Sequence, residues 1–216
     1  MNNYVFWTLP HVTGIVLVLT VVCIPGIALY MAVKDKGGPV IFGQPPHEWL
    51  RLVHEHPRPW FWATLSFIGA ILVTLFGLGL LAGLLRDAGD LGFSTVGLLA
   101  FAVGTILWVI HLAERLTIHP WAGKELASKG AIPDVYTALS VWTWAMFLIF
   151  TVLAFVGVMM FGGAILATSL LPHWLGWAAI IYSAGGLILL AITRDALPIM
   201  HHLMPLVFGI VLVLPS

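Results

Sequence analysis

The apolar stretch WATLSFIGAILVTLFGLGLLAGLL at residues 62–85 decides the fold of this chain. It contains no charged side chain, and it exceeds the roughly 20 helical residues that cross the hydrocarbon core of a bilayer. Five further apolar stretches lie at residues 11–33, 95–114, 141–166, 174–192 and 197–214. None of them alternates like the strand of a membrane barrel. We therefore predict one all-α domain over residues 1–216, a bundle of about six transmembrane helices.

The composition favours a membrane protein over a soluble one. Hydrophobic residues make up 61% of the chain and charged residues only 8%, whereas a soluble domain carries about 25% charged residues. The formal net charge is zero, which offers no electrostatic basis for binding nucleic acid. The lipid bilayer is therefore the first partner that the sequence predicts.

Three local features refine the predicted helices. Pro25-Gly26 interrupts the first apolar stretch and predicts a kink there. Pro133-Asp134 favours an early start for the fourth helix, because proline suits a first turn and aspartate suits the positive end of the helix dipole. Thr193-Arg194-Asp195 is the short link between the last two stretches. It predicts a tight antiparallel hairpin of helices.

The basic residues predict the orientation. With six spans, both termini share one side of the membrane, and the loops after spans one, three and five share the other. These three loops hold every lysine and arginine except Arg86, namely Lys34, Lys36, Arg51, Arg58, Arg115, Lys124, Lys129 and Arg194. The positive-inside rule then places the three loops in the cytoplasm and both termini on the outer side.

The first inner loop contains the segment PPHEWLRLVHEHP at residues 45–57. Prolines bracket it, and its residues divide into two faces at helical spacing. Trp49, Leu50 and Val53 form an apolar face, while His47, Arg51 and His54 form a polar one. We predict a short interfacial helix that lies on the membrane surface.

Histidine is unusually frequent for so apolar a chain, with nine residues, and no charged side chain lies near the centre of a span. Seven histidines fall near the inner interface: His47, His54, His56, His111, His119, His201 and His202. His111 lies about one turn inside span three, and His201 and His202 lie about two turns into span six, so the two sites have similar depth. We predict that His111 and His202, or His201, bind haem b iron as paired axial ligands.

Neighbouring residues support this haem prediction. Glu114 shares a helix face with His111, and we expect it to orient the imidazole, as metal-bound histidines require. His202 shares its face with Pro205 and Gly209, and such small residues leave room for a neighbouring helix or a flat cofactor.

Several alternatives remain open. Each histidine is also explained by a simple hydrogen bond at the membrane interface. His54-Glu55-His56, Glu114 and His201-His202 form a second candidate set, for a non-haem metal centre. His11 and His173 form a candidate outer haem site, although His173 also suits the cap of an interfacial turn. The many glycines favour close helix packing.

Two classes of function follow from these observations. The first is a haem b-binding redox protein or cytochrome-like subunit, which exchanges electrons with a quinone or a partner protein. The second is a non-catalytic subunit of a larger membrane complex, because the span centres lack ionisable groups. A transporter of a neutral solute ranks third. The sequence predicts no catalytic residue and does not decide whether the protein is an enzyme.

The C-terminal hairpin carries a resemblance. Leu171-Pro172-His173-Trp174-Leu175-Gly176-Trp177, the apolar run after it, Pro198 and a final span ending at Gly209 to Pro215 resemble small polytopic bacterial membrane proteins of unknown function. The resemblance covers about the last quarter of the chain and implies no site residue. It implies a bacterial cytoplasmic (inner) membrane as the location.

Overall fold

A computed structural model describes residues 8–33 and 46–214, with backbone only at residues 29–33. Over these residues the chain is helical and contains no strand. The helices are α1 (Leu9–Val18), α2 (Cys23–Val33), α3 (Pro46–Glu55), α4 (Pro57–Asp87), α5 (Phe93–Lys129), α6 (Asp134–Ala167), α7 (His173–Thr193) and α8 (Met200–Val213). Lys34, Lys36, Pro45 and Pro215, which entered the predictions above, lie outside the described residues.

Five helical segments are long and apolar enough to cross a membrane: Leu9–Ala28, Pro57–Asp87, Phe93–Lys129, Asp134–Ala167 and His173–Thr193. They indicate an integral membrane protein. The sixth predicted span, residues 197–214, contains the shorter helix α8 of 14 residues. At 1.5 Å per residue α8 is about 21 Å long, less than the roughly 30 Å of a hydrocarbon core.

The predicted kink at Pro25-Gly26 is displaced toward the N-terminus. The helix tightens into one 3-10 turn at Leu19–Val22 and resumes as α2 at Cys23. Pro25 therefore lies in the first turn of α2, where its missing N–H removes no helical hydrogen bond. The 3-10 turn carries Thr20, which is buried.

Helix α5 extends well past the predicted end of span three at Glu114. It continues to Lys129 and passes through Pro120, so the prediction of a loop carrying Arg115, Lys124 and Lys129 was wrong. Proline removes one hydrogen bond, to the carbonyl of Leu116, and this loss ends a helix only where packing does not support it. Helix α6 begins at Asp134, which confirms the early start predicted for the fourth helix.

The predicted short helix in the first loop is confirmed as α3. Leu50, Leu52 and Val53 are buried, while His47, Arg51 and His54 are exposed. Helix α3 lies tightly on α5, because a Cβ atom added at Gly123 would be 2.7 Å from the Leu50 carbonyl oxygen. The glycine therefore lets α3 approach the extended part of α5.

The chain divides into two units. Unit 1 comprises residues up to Val21, Ala70–Thr105 and Thr151 onward, and unit 2 comprises Val22–Gly69 and Ile106–Phe150. In unit 1, α8 packs against α1 and α7. Three glycine pairs there bring backbones together: Cβ atoms added at either member of Gly14/Gly209, Gly97/Gly157 or Gly162/Gly176 would lie 2.7–2.8 Å from the partner's carbonyl oxygen.

Candidate functional site: a buried polar cluster in unit 2

Five buried polar side chains gather in unit 2, and we call them the polar cluster: His111, Glu114, Arg115, His119 and Tyr136. The first four lie on α5 at spacings of three and four residues, which places them along one face of the helix. Tyr136 comes from the first turn of α6. Each of the five is at most 8% exposed. Ionisable groups are expensive to bury in a membrane protein, and they usually mark function.

Arg115 is held by two tryptophans. Its guanidinium carbon lies 4.6 Å from the ring centroid of Trp60 and 5.5 Å from that of Trp49. The indole Nε1–H of Trp60 donates a hydrogen bond of 2.7 Å to the Arg115 carbonyl. Cation–π contacts of this kind stabilise a desolvated cation by about 2 kcal/mol. The tryptophans thus fix both the side chain and the backbone at this position.

Glu114 and His119 form a close pair. Glu114 Oε1 lies 3.2 Å from His119 Nδ1, although this contact lacks hydrogen-bond alignment. The His119 ring stacks on Trp60, with centroids 5.6 Å apart, and meets the Tyr136 ring edge-on at 5.4 Å. Aromatic contacts on two sides therefore hold the imidazole beside the carboxylate.

A cavity of about 340 Å³ adjoins this cluster, and we call it the polar cavity. Its size falls in the range of small-molecule binding sites. All of its walls belong to unit 2. They comprise Pro46, Trp49, His111, Glu114, Arg115, His119, Tyr136, Ser140, Val141, Thr143 and Trp144.

Several polar atoms on these walls have no hydrogen-bond partner among the described residues. They include both carboxylate oxygens of Glu114, Nδ1 of His111 and Nδ1 of His119. Buried polar atoms are paired in the great majority of cases, and an unpaired one costs about 1–3 kcal/mol. Three such side chains around one cavity offer hydrogen-bonding positions to a polar partner, either water or a ligand.

Two hydroxyl groups on the cavity wall donate hydrogen bonds to backbone carbonyls. Ser140 donates to the Thr137 carbonyl at 3.0 Å, and Thr143 donates to the Ser140 carbonyl at 3.3 Å. A hydroxyl group has one proton, so each oxygen is left with lone pairs only. Both oxygens therefore act as hydrogen-bond acceptors toward the cavity.

In unit 1, His202 belongs to a satisfied hydrogen-bond network. Its Nδ1 lies 3.0 Å from the Thr20 hydroxyl and 2.9 Å from that of Thr74. The two hydroxyl oxygens are 2.6 Å apart, and the Thr74 hydroxyl donates to the Ala70 carbonyl at 2.8 Å.

The protons of this network assign the tautomer of His202. Thr74 donates its proton to Ala70, and Thr20 donates its proton to Thr74. A proton on His202 Nδ1 then satisfies both remaining contacts, so we assign the Nδ1–H tautomer. Nε2 is left with the lone pair that binds metals.

The four predicted site residues divide between the two units. His111 and Glu114 lie in unit 2, and His201 and His202 lie in unit 1. The partner of Glu114 is His119, and the described residues show no hydrogen bond between Glu114 and His111. The pairing of His111 with His202 stays a prediction. Gly209, expected to leave room for a helix or a cofactor, packs against Gly14 of α1.

The other metal alternatives gain no support. Within the described part of the chain, no group of three or more His, Cys, Asp or Glu side chains is arranged to hold a metal ion. His173 Nε2 lies 3.2 Å from the Thr168 carbonyl oxygen, as expected for a residue that caps the turn before α7. His11 Nδ1 lies 2.5 Å from the Thr8 hydroxyl.

Sequence reasoning missed His119, Arg115 and Tyr136 as site residues. Arg115 and His119 were placed outside span three because the apolar stretch ends at Glu114. The available signal was the helical spacing of polar residues from His111, which continues through Arg115 to His119. Tyr136 had no such signal, since its place depends on the packing of α6.

The site must be interpreted from its own chemistry. Its distinguishing properties are an aromatic wall, a buried carboxylate and imidazoles, and a cavity of ligand size. The resemblance of the C-terminal hairpin to bacterial membrane proteins stays a prediction. The chain matches no protein-family model, no curated protein and no solved structure.

Proposed function

We propose that the protein is a membrane redox subunit that binds a quinone-class compound in the polar cavity. One observation carries the proposal: buried atoms of Glu114 and His111 without hydrogen-bond partners line a cavity that Trp49, Tyr136 and Trp144 also line. A quinone-class ring offers oxygen atoms to such polar groups and a flat face to Trp49, Trp144 and Tyr136. Offset and edge-on ring contacts contribute about 0.5–1.5 kcal/mol each beyond area burial.

The charges on the cavity wall favour a neutral ligand. Glu114 and Arg115 both line the cavity, so one negative and one positive charge already face it. A cationic ligand would lie beside the Arg115 guanidinium, and an anionic ligand would lie beside the Glu114 carboxylate. Burying a further charge without its own partner is costly. A neutral ring with polar substituents avoids that cost.

Quinone-class compounds also suit the surroundings of the site. They are amphiphilic, with an apolar tail that resides in the bilayer and a polar ring. Five apolar helices long enough to span a membrane indicate the same environment for the protein. The bilayer would therefore concentrate this ligand class near the cavity.

Ligand titration of the purified protein tests the proposal. Tryptophans line the cavity, so we expect saturable quenching of tryptophan fluorescence by duroquinone or duroquinol. Glu114→Gln should weaken binding of at least one of them about tenfold or more, because it removes a charged hydrogen-bond acceptor. Glu125→Gln is the matched control, since Glu125 is on the same helix and pairs with Lys129. Absence of saturable binding of both compounds would overturn the proposal.

A bound haem b is the second candidate, and the His202 network favours it. A ligating histidine needs its second ring N–H fixed by a hydrogen bond, and the assigned tautomer of His202 meets this requirement. An absorbance spectrum of haem-supplemented protein tests it, with a Soret band that His202→Ala abolishes and His56→Ala retains. A colourless protein that co-purifies with a stoichiometric partner would favour the non-catalytic subunit.

The six-span topology, the outer termini and the bacterial inner membrane belong to the same proposal. Cys23 is the single cysteine, so a Cys23→Ala background allows site-specific labelling. Cysteine at Ala88, between α4 and α5, should react with an impermeant thiol reagent from the outside of intact cells. Cysteine at Gly130, between α5 and α6, should react only after the cells are opened. The reverse pattern would overturn the orientation.

A further inference from the structure

The cavity wall is biased toward hydrogen-bond acceptors. An ionised carboxylate such as Glu114 accepts hydrogen bonds and donates none. Neither of its oxygens has a hydrogen-bond partner among the described residues, although Oε1 lies 3.2 Å from His119 Nδ1. Ser140 and Thr143 have already used their protons on backbone carbonyls. A ligand that pairs with these three side chains must therefore bring donors of its own.

Resting on the proposed quinone-class site, we infer that the cavity prefers the reduced quinol over the oxidised quinone. The two forms share a ring and differ at two oxygens, which are hydroxyl donors in the quinol and carbonyl acceptors in the quinone. A quinol hydroxyl donates a charge-assisted hydrogen bond to Glu114, and such bonds are about twice as strong as neutral ones.

A quinone in the same place has no hydroxyl proton to donate to Glu114. Its carbonyl oxygen would face the carboxylate oxygens of Glu114, two acceptors without a proton between them. Oε2 of Glu114 would then stay buried without a hydrogen-bond partner, at a desolvation cost. The quinone would depend on the Arg115 guanidinium, which already lies against the rings of Trp60 and Trp49.

His111 supplies a second hydrogen-bond acceptor on the cavity wall. Its Nδ1 is buried, without a hydrogen-bond partner among the described residues, and its ring stacks on Trp108 with centroids 5.2 Å apart. A neutral imidazole presents a lone pair at one of its nitrogens. In the tautomer with the lone pair on Nδ1, His111 accepts the second hydroxyl of a quinol.

The preference has a measurable redox consequence. A site that binds the reduced form more tightly raises the midpoint potential of the bound couple. For a two-electron couple, each tenfold preference corresponds to about 30 mV.

The test measures the dissociation constants of duroquinol and duroquinone for the full chain in lipid nanodiscs. Duroquinol is titrated anaerobically with excess reductant, and duroquinone is titrated without it. We expect duroquinol to bind about tenfold or more tightly than duroquinone, from the strength of a hydrogen bond to a charged group. Glu114→Gln should bring the two constants close to equality, because an amide can also donate to a carbonyl. Glu125→Gln should keep the wild-type preference.

The outcomes separate this inference from the proposed function. Equal affinities in the wild-type protein, or tighter binding of duroquinone, would overturn the preference and leave a quinone-class site. Binding of neither compound would overturn the site itself. If Glu114→Gln does not fold, His111→Phe replaces it, and a reduced preference with retained duroquinone binding supports the inference. An unchanged preference in the folded variants would contradict it.

Discussion

One buried polar network in unit 1 differs from the polar cluster in unit 2. In unit 1, Thr20, Thr74 and His202 satisfy one another, and paired glycines bring the helix backbones together. In unit 2, Glu114 and His111 keep unpaired atoms on a cavity wall beside the Arg115 cation. A satisfied network is explained by stability alone, whereas an unsatisfied one needs a further reason. This contrast is the reason that we propose a ligand site in unit 2.

The largest effect is expected from removing the positive charge of the polar cluster. Arg115→Met keeps the apolar stem but removes the cation that lies against Trp60 and Trp49. It also leaves the negative charge of Glu114 uncompensated on the cavity wall, so we expect the free energy of unfolding to fall by about 3–5 kcal/mol. Adding Glu114→Gln should restore part of the loss. Unfolding of the purified protein in mixed micelles measures both changes.

Arg51→Met is the control for this prediction. Arg51 pairs with Glu55 at 3.7 Å, and its side chain is 60% exposed, so its loss should change the free energy of unfolding by less than about 0.5 kcal/mol. Similar losses of unfolding free energy in Arg115→Met and Arg51→Met would show that the buried charge of Arg115 contributes no more to stability than an exposed one.

A glycine pair of unit 1 should give the next largest effect. Gly157→Ala places a Cβ atom 2.8 Å from the Gly97 carbonyl oxygen, and overpacking of this kind costs about 1–3 kcal/mol. Gly185→Ala is the matched control, because a Cβ atom there meets nothing within 4 Å. The control should be neutral or stabilising, since glycine weakens a helix by about 0.5–1 kcal/mol relative to alanine. Equal melting temperatures for the two variants would contradict the close approach of α5 and α6 in unit 1.

Breaking the satisfied network should have a somewhat smaller effect. Thr74→Val keeps the shape of the side chain but removes the hydroxyl that Thr20 and His202 contact, at a cost of about 1–2 kcal/mol. Thr117→Val is the control, because the Thr117 hydroxyl is exposed and bonds only its own helix. Thermal unfolding distinguishes them. A Thr74 variant as stable as the control would show that the network of unit 1 contributes nothing.

The smallest effect is expected at the start of α5. Asp90 Oδ2 accepts hydrogen bonds from the Ser94 backbone N–H at 2.8 Å and from the Ser94 hydroxyl at 2.6 Å. Burial acts to raise the pKa of Asp90, but the hydrogen bonds from Ser94, Gly92 and Phe93 outweigh it and hold the pKa below its ordinary value. Asp90→Ala should cost about 1 kcal/mol near neutral pH, as loss of a helix cap does.

The sign of the pH dependence follows from the lowered pKa. The stabilising contribution of Asp90 is complete above the unfolded-state pKa of about 3.9 and is lost as the pH falls through the lower folded-state pKa. The difference between Asp90→Ala and the wild type should therefore shrink only in strong acid. Asp87→Ala, at an exposed position, should show no such trend. A stability difference between Asp90→Ala and the wild type that widened on acidification would contradict the lowered pKa of Asp90.

The sequence predicted the helices well because long apolar runs leave few alternatives. The stretch at residues 62–85 lies within α4, and Pro133-Asp134 marked the start of α6. Proline was misleading where tertiary packing compensates for it. Pro25 was predicted to kink the first span but lies in the first turn of α2, and α5 continues through Pro120 although span three was predicted to end at Glu114.

The candidate site was harder to predict than the fold. Sequence spacing identified His111 and Glu114 as residues of one helix face, which the structure places on the cavity wall. It did not identify the partner of Glu114, because His119 was assigned to a loop. Trp60 and Tyr136 come from other helices, and no local pattern specifies which side chains from separate helices converge.

The proline within α5 has a consequence for amide exchange. Because Pro120 has no N–H, the Leu116 carbonyl lacks its helical donor one turn away, next to Arg115 and His119. Local opening is easiest where a hydrogen-bond ladder is interrupted. Deuterium should therefore enter the amides around residues 116–121 earlier than those of the preceding turns of α5. A ligand held by Glu114 and His111 would slow that uptake, so deuterium uptake becomes a direct reporter of occupancy at the polar cavity.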